Sequence, residues 1–126
     1  MNRRKILLNI FIPLILGSLI YYLFCPEVIF VKNSVFSIPK NPFITLARNY
    51  VMDMLWAYSL TFAIFLILDN WMKTFIIASL FTIIIEFLQL TSLIQGTFDI
   101  VDIIAMLYSI CLAILVIEHY HKGGIL

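Results

Sequence analysis

Three carboxylates and an amide lie within or beside two segments that are otherwise apolar enough to enter a membrane. Glu86 and Gln89 fall near the end of one apolar run, and Asp99 and Asp102 follow after a short connection. A carboxylate at membrane depth costs a few kcal/mol on insertion scales, so each is a functional-site candidate. Groups of this kind bind cations, relay protons, act as general bases beside a metal, or join helices.

The composition places these residues in a membrane protein. Of the 126 residues, 63% are hydrophobic and 12% are charged, against roughly 45–50% and about 25% in soluble domains. A small water-soluble domain cannot bury this much apolar surface. The net charge of +1 comes without a basic stripe, which argues against a nucleic-acid partner. We therefore expect a single membrane domain over residues 1–126.

Four apolar runs predict four transmembrane helices, over about residues 6–24, 50–68, 74–92 and 100–117. At about 1.5 Å per residue, runs of this length approach the roughly 30 Å of a bilayer core. Residues 118–126 are expected to form a short polar tail. The fold class is therefore an all-α integral membrane protein, a four-transmembrane-helix bundle with a long loop between helices 1 and 2.

The first apolar run is similar in form to a signal peptide, and a long loop follows it. Tyr22, Leu23 and Phe24 are large where a signal-peptide cleavage site has small residues, so the first run is expected to be a retained helix. Residues 25–48 contain three prolines and only short apolar stretches, which favours an interfacial or extended segment.

The distribution of basic residues predicts the orientation. Five lie at the N terminus, in the second connection and in the tail, and three lie in the long loop. The positive-inside rule then places both termini in the cytoplasm.

Connectivity brings the polar groups together. In four antiparallel spans, the start of the second helix, the end of the third and the start of the fourth lie at one membrane face. The predicted ligand-binding residues at this face, which opens to the outside in the orientation above, are Arg48, Asn49, Asp53, Glu86, Gln89, Asp99 and Asp102.

The charges at this face are unbalanced, because four carboxylates meet one arginine. Neighbouring carboxylates need a proton or a cation to share the site. A divalent cation held by Glu86, Asp99 and Asp102, a cationic group of a substrate, or a proton relay would each meet this need. In the structural alternative, Arg48 pairs with Asp53, Asp99 caps the fourth helix, and the remaining polar groups join helices.

The pattern resembles the VanZ-like family of small multi-pass membrane proteins. The resemblance rests on Glu86-x-x-Gln89, on Phe98-Asp99-x-x-Asp102 at the head of an apolar helix, and on the acidic start of the second span at Asp53. It covers about half of the chain, over residues 48–109. Two departures mark a divergent member, because the family's arginine before Phe-Asp is missing from residues 95–97, and Met106 and Ser109 replace its asparagine and glycine. In this chain Arg48 would then supply the missing positive charge.

The resemblance implies a protein of the bacterial cytoplasmic (inner) membrane that is linked to the cell envelope, since the founding member is associated with teicoplanin resistance. We therefore expect an envelope protein whose outward acidic cluster binds a cation or a lipid-linked headgroup, with a link to glycopeptide resistance. The lipid bilayer is its first partner. Whether the chain also forms a homo-oligomer or binds another membrane protein is left open by the sequence.

Three other functions stay open at this stage. The first is an enzyme that acts on a lipid-linked envelope substrate, with Glu86 or an aspartate as general base. The second is a structural subunit of a membrane complex. The third, an ion or proton pathway, has only Ser59, Thr61 and Thr82 to continue it toward the cytoplasm.

Overall fold

The computed structural model describes residues 1–24, 42–93 and 99–123, with side chains described for residues 1–22, 50–93 and 99–123. These residues form four helices: α1 (Arg3–Phe24), α2 (Pro42–Leu68), α3 (Trp71–Leu90) and α4 (Ile100–Gly123). Each contains a stretch that is long and apolar enough to cross a membrane. The predicted all-α membrane fold with four spans is therefore confirmed.

Helix α2 is central, because each of α1, α3 and α4 packs against it. At one end of the bundle, the Nζ atom of Lys5 in α1 lies 4.8 Å from the centre of the Tyr120 ring in α4. At the other end, the hydroxyl of Tyr50 in α2 donates a hydrogen bond to Asp99, just before α4. The start of α1 and the end of α4 therefore share one end of the bundle, as four antiparallel spans require.

The interior is formed by one stripe of each helix. Its apolar members pack into a single cluster composed of Ile6, Ala57, Phe62, Phe65, Ala78, Met106, Ile110, Ala113, Ile114 and Ile117. Many large apolar side chains of α1 and α3 are exposed outside this cluster. In a membrane such side chains contact lipid, so their exposure is expected.

Three helices begin earlier than the sequence predicts, and α1 does so at Arg3 rather than residue 6. Helix α2 begins at Pro42 rather than near residue 50, because proline suits the first turn of a helix, where its missing N–H is not needed. Part of the predicted extended loop is therefore helical. Helix α3 begins at Trp71 rather than residue 74, because the Asn70 side chain caps it and accepts hydrogen bonds from the amides of Met72 and Lys73, each 3.1 Å long.

Two helix ends also differ from the prediction. Helix α3 ends at Leu90 rather than residue 92, because Ser92 adopts a left-handed backbone (φ 63°) and the Leu93 amide bonds back to the Leu88 carbonyl. Helix α4 continues to Gly123, so the predicted polar tail is largely helical. An ion pair one turn apart, between Glu118 and Lys122 (2.5 Å), supports this extension.

Candidate functional site

Asp99 is the best-satisfied carboxylate at the predicted polar face. It lies just before α4, where its Oδ1 accepts a hydrogen bond from the Val101 amide at 2.9 Å. Its Oδ2 accepts a hydrogen bond from the hydroxyl of Tyr50 at 3.0 Å. Asp99 therefore caps α4, as the structural alternative predicts, and fastens the start of α4 to α2.

Glu86 lies in the opposite situation, deep in the bundle. It belongs to the buried stripe of α3, which recurs every four residues through Thr74, Ala78 and Thr82. Its side chain is 4% exposed. The backbone N–H of Asp99 lies near its carboxylate, yet its Oε2 is buried without a hydrogen-bond partner in the described part of the chain. A buried polar atom of this kind is rare in folded proteins and needs an explanation.

Two further carboxylates adjoin Glu86. Glu86 is close enough to Asp102, Asp53 and Asp99 to be repelled electrostatically by each, and Asp53 and Asp102 repel one another as well. Both aspartates are half-buried, and Oδ1 of Asp102 is a second buried oxygen without a partner among the described residues. We refer to Asp53, Glu86, Asp99 and Asp102 as the carboxylate cluster.

The electrostatics of this cluster are unfavourable as they stand. Like charges repel more strongly in a protein interior than in water, because the local dielectric constant is lower. Within residues 1–22, 50–93 and 99–123, no lysine or arginine pairs with the cluster, and the ion pair that these residues form joins Glu118 to Lys122. The cluster therefore requires protons or a positive charge supplied by another group.

The remaining predicted site residues are less informative. Gln89 is half-buried and lies three residues after Glu86, on the same side of α3. Arg48 and Asn49 lie within α2, and their side chains are outside the described residues. The pairing of Arg48 with Asp53 therefore stays a prediction.

The predicted metal ligands Glu86, Asp99 and Asp102 do not form a metal-binding group of three, and neither do other histidine, cysteine or acidic residues in the described ranges. One physical reason is visible at Asp99, whose two oxygens are already engaged by Val101 and Tyr50.

Three polar residues that join helices were not singled out from the sequence. Tyr50 lies one turn before Asp53, and this spacing is the signal that places both on one side of α2. The Ser109 hydroxyl in α4 donates a 2.5 Å hydrogen bond to the Met54 carbonyl in α2. The hydroxyl of Tyr58 in α2 donates to Oδ1 of Asn9 in α1 at 2.9 Å.

A groove between α1 and α2 extends the site. Its volume is about 350 Å³, and Pro13, Gly17, Ser18 and Tyr21 of α1 line one wall. The facing wall includes Asp53 and Trp56 of α2. One member of the carboxylate cluster is thus also part of a groove on the side of the bundle.

Comparisons with protein-family models, with curated proteins and with solved structures gave no match to this chain. The resemblance to the VanZ-like family stays a prediction.

Proposed function

We propose that this chain is a multi-pass membrane protein whose carboxylate cluster binds a cation or the cationic part of a lipid-linked headgroup. The observation that supports this function most directly is the buried Oε2 of Glu86, which has no hydrogen-bond partner among the described residues. Asp102 repeats the feature with its own buried oxygen. Two acceptor atoms of neighbouring carboxylates thus lack a hydrogen-bond donor among the described residues.

A cation can offset the cost of burying these carboxylates. Burying a carboxylate without a partner is costly, whereas the same carboxylate beside a cation that donates hydrogen bonds is stabilised. A ligand that brings positive charge into the cluster therefore lowers the free energy of the folded protein. This gain favours binding of a cation over binding of a neutral or anionic group.

The cellular role that we propose follows the resemblance given above. A VanZ-like protein would act in the bacterial cytoplasmic membrane, with both termini in the cytoplasm and the cluster facing outward. Its cationic ligand would then belong to the envelope, and changes in glycopeptide susceptibility would report on it.

A structural role is the second candidate, and the hydrogen bonds of Asp99 favour it. Both oxygens of that carboxylate hold local structure together. If the whole cluster acted in this way, neutralising Glu86 would change the stability of the bundle and leave cation binding unaffected.

Purified protein in detergent offers a direct test. Magnesium, calcium and ethanolamine are added in turn, and the thermal unfolding midpoint is followed for the wild type, Glu86→Gln and Asp102→Asn. We expect at least one of these cations to raise the midpoint of the wild type, since a ligand that binds only the folded state stabilises it. The increase should disappear in both variants.

Glu118→Gln is the matched control, because it makes the same chemical change at a half-buried site at the other end of the bundle, where Lys122 pairs with the carboxylate. Its response to cations should equal that of the wild type. An equal response in Glu86→Gln and Asp102→Asn would overturn the proposal. In cells of the source organism, a deletion strain complemented with the same variants would test the envelope role through glycopeptide susceptibility.

A further inference from the structure

The groove between α1 and α2 leads from the side of the bundle to the carboxylate cluster. Trp56 and Tyr21 in its walls are 38% and 47% exposed, so the groove opens where lipid surrounds the protein. Asp53 lies in the groove. Its negative charge and that of Asp102 repel one another, and the charges of Asp102 and Glu86 do the same. Asp53 is therefore the residue that joins this lipid-facing groove to the carboxylate cluster.

Small residues of α1 keep the groove open. A Cβ atom placed on Gly17 would lie 3.7 Å from the Cβ of Leu55, so α1 and α2 approach closely at this point. Gly17 and the neighbouring Ser18 both line the groove. Because neither side chain fills it, the space beside the helix contact remains available to a ligand.

The lining of the groove selects the chemistry of its occupant. Apart from Asp53, the residues that line it are uncharged, and they include Pro13, Leu14 and Met52. A hydrated ion would lose its water shell along such walls, whereas a hydrocarbon chain would not. The occupant that suits both the groove and the cluster is apolar along its length and positively charged at its tip.

The unpartnered atoms define that tip more closely. Oε2 of Glu86 and Oδ1 of Asp102 are hydrogen-bond acceptors. A primary ammonium carries three N–H donors, while a quaternary ammonium carries none. An amine beside Asp53 can therefore neutralise charge and bring N–H donors to the cluster at the same time, with the Trp56 ring nearby to favour a cation.

We propose that the α1–α2 groove binds a membrane lipid with a primary-amine headgroup, whose amine reaches the carboxylate cluster from the lipid side. The inference rests on the proposed cation-binding function, and it adds the class of ligand and the route by which the ligand enters.

Tryptophan fluorescence provides the test, because Trp56 lines the groove and the chain has two tryptophans. The full chain with Trp71→Phe, which leaves Trp56 as the reporter, is placed in phosphatidylglycerol vesicles. These contain a small fraction of either phosphatidylethanolamine or phosphatidylcholine with identical brominated acyl chains. Both lipids have the same net charge, and bromine quenches tryptophan on contact.

We expect the brominated phosphatidylethanolamine to quench Trp56 with an apparent affinity at least about threefold higher than that of the brominated phosphatidylcholine. Asp53→Asn and Glu86→Gln, each in the Trp71→Phe background, should remove this preference. Equal quenching by the two lipids in the unaltered groove would overturn the inference.

Variants that fill the groove separate this inference from the proposed function. Ser18→Leu adds bulk to the groove and Gly17→Leu adds more beside Leu55, while Leu16→Phe adds bulk at an exposed position outside the groove. Ser18→Leu should abolish the lipid preference and keep the stabilisation by soluble cations, and Leu16→Phe should keep both. If Gly17→Leu fails to fold, Ser18→Leu decides the question alone.

Two outcomes distinguish the failures. If soluble cations stabilise the wild type but the lipid preference is absent, or if it survives Ser18→Leu, the lipid inference is wrong and the proposed function stands. If soluble cations stabilise wild type and Glu86→Gln alike and no lipid preference is seen, both are wrong.

Discussion

The two ends of the bundle differ in whether their charged side chains have partners. At the end where α1 begins and α4 finishes, Lys122 pairs with Glu118 at 2.5 Å, and Lys5 lies over the ring of Tyr120 at 4.8 Å. These charged side chains are near solvent, where an ion pair contributes little and its loss is tolerated. At the other end, Glu86 is 4% exposed and one of its oxygens has no described partner.

The proposed function accounts for this difference by assigning stability to the first end and cation binding to the second. A charge that only supports the fold is placed where water or a nearby partner satisfies it, as at Glu118. A carboxylate that is buried beside three others is unfavourable until something compensates it. Four variants test this contrast, and they follow from the largest expected effect to the smallest.

Glu86→Gln should have the largest effect, on binding. Removing a charged acceptor from a cation complex costs about 2 kcal/mol, or roughly thirtyfold in affinity. Titration of the stabilising cation against the purified variant would measure this loss. An affinity within about twofold of wild type would remove the distinction between the two ends, since about 0.4 kcal/mol is the scale of a surface ion pair.

Tyr50→Phe tests the satisfied member of the cluster. The variant removes the hydrogen bond between the hydroxyl and Oδ2 of Asp99, so that the carboxylate loses a donor. We expect the free energy of unfolding to fall by more than the loss of a neutral hydrogen bond would cause, because a hydrogen bond to a charged acceptor is stronger. Denaturant unfolding in detergent gives the value, and no change would mean that lipid or water replaces the tyrosine.

Tyr58→Phe tests a neutral hydrogen bond between helices, midway along the bundle. It removes the contact with Asn9 that joins α2 to α1. Because such bonds average about 0.6 kcal/mol in membrane proteins, the expected loss of stability is of that size. A loss as large as that of Tyr50→Phe would show that charge at the acceptor makes no difference in this bundle.

Lys122→Ala should have the smallest effect. It breaks the exposed ion pair with Glu118, a contact between residues one turn apart that contributes about 0.3–0.5 kcal/mol. The change in the free energy of unfolding should shrink further at high salt. A salt-independent loss above about 1 kcal/mol would contradict the view that this end is held by solvent-screened contacts.

Much of the fold follows from the sequence because a membrane imposes simple demands. Each span must be long and apolar, so the four runs were recognisable from composition alone, and antiparallel connectivity placed Glu86 and Asp99 at one end. Helix ends were harder. The start of α2 at Pro42 and the end of α3 at Leu90 depend on local backbone geometry that apolar runs do not reveal.

The members of the carboxylate cluster could be predicted from the sequence, but the hydrogen bonds that each carboxylate makes could be predicted only in part. The structural alternative predicted that Asp99 would cap α4, as its bond with Val101 does, but nothing in the spacing indicated that Tyr50 would bind its second oxygen. Nor did the spacing indicate that Glu86 would keep an oxygen without a partner among the described residues. These hydrogen bonds depend on which side chains of different helices come into contact, and that contact is made by residues far apart in the chain.

What the sequence by itself determined is the class of protein, the number of spans and the end of the bundle at which the carboxylates lie. Only the tertiary structure decided that Glu86 faces inward, that the Ser109 hydroxyl bonds to α2, and that a groove beside Gly17 reaches Asp53. The physical reason is that lipid is as apolar as the protein interior. A membrane helix such as α3 is hydrophobic around most of its surface, so its pattern does not distinguish the buried side from the lipid-facing side.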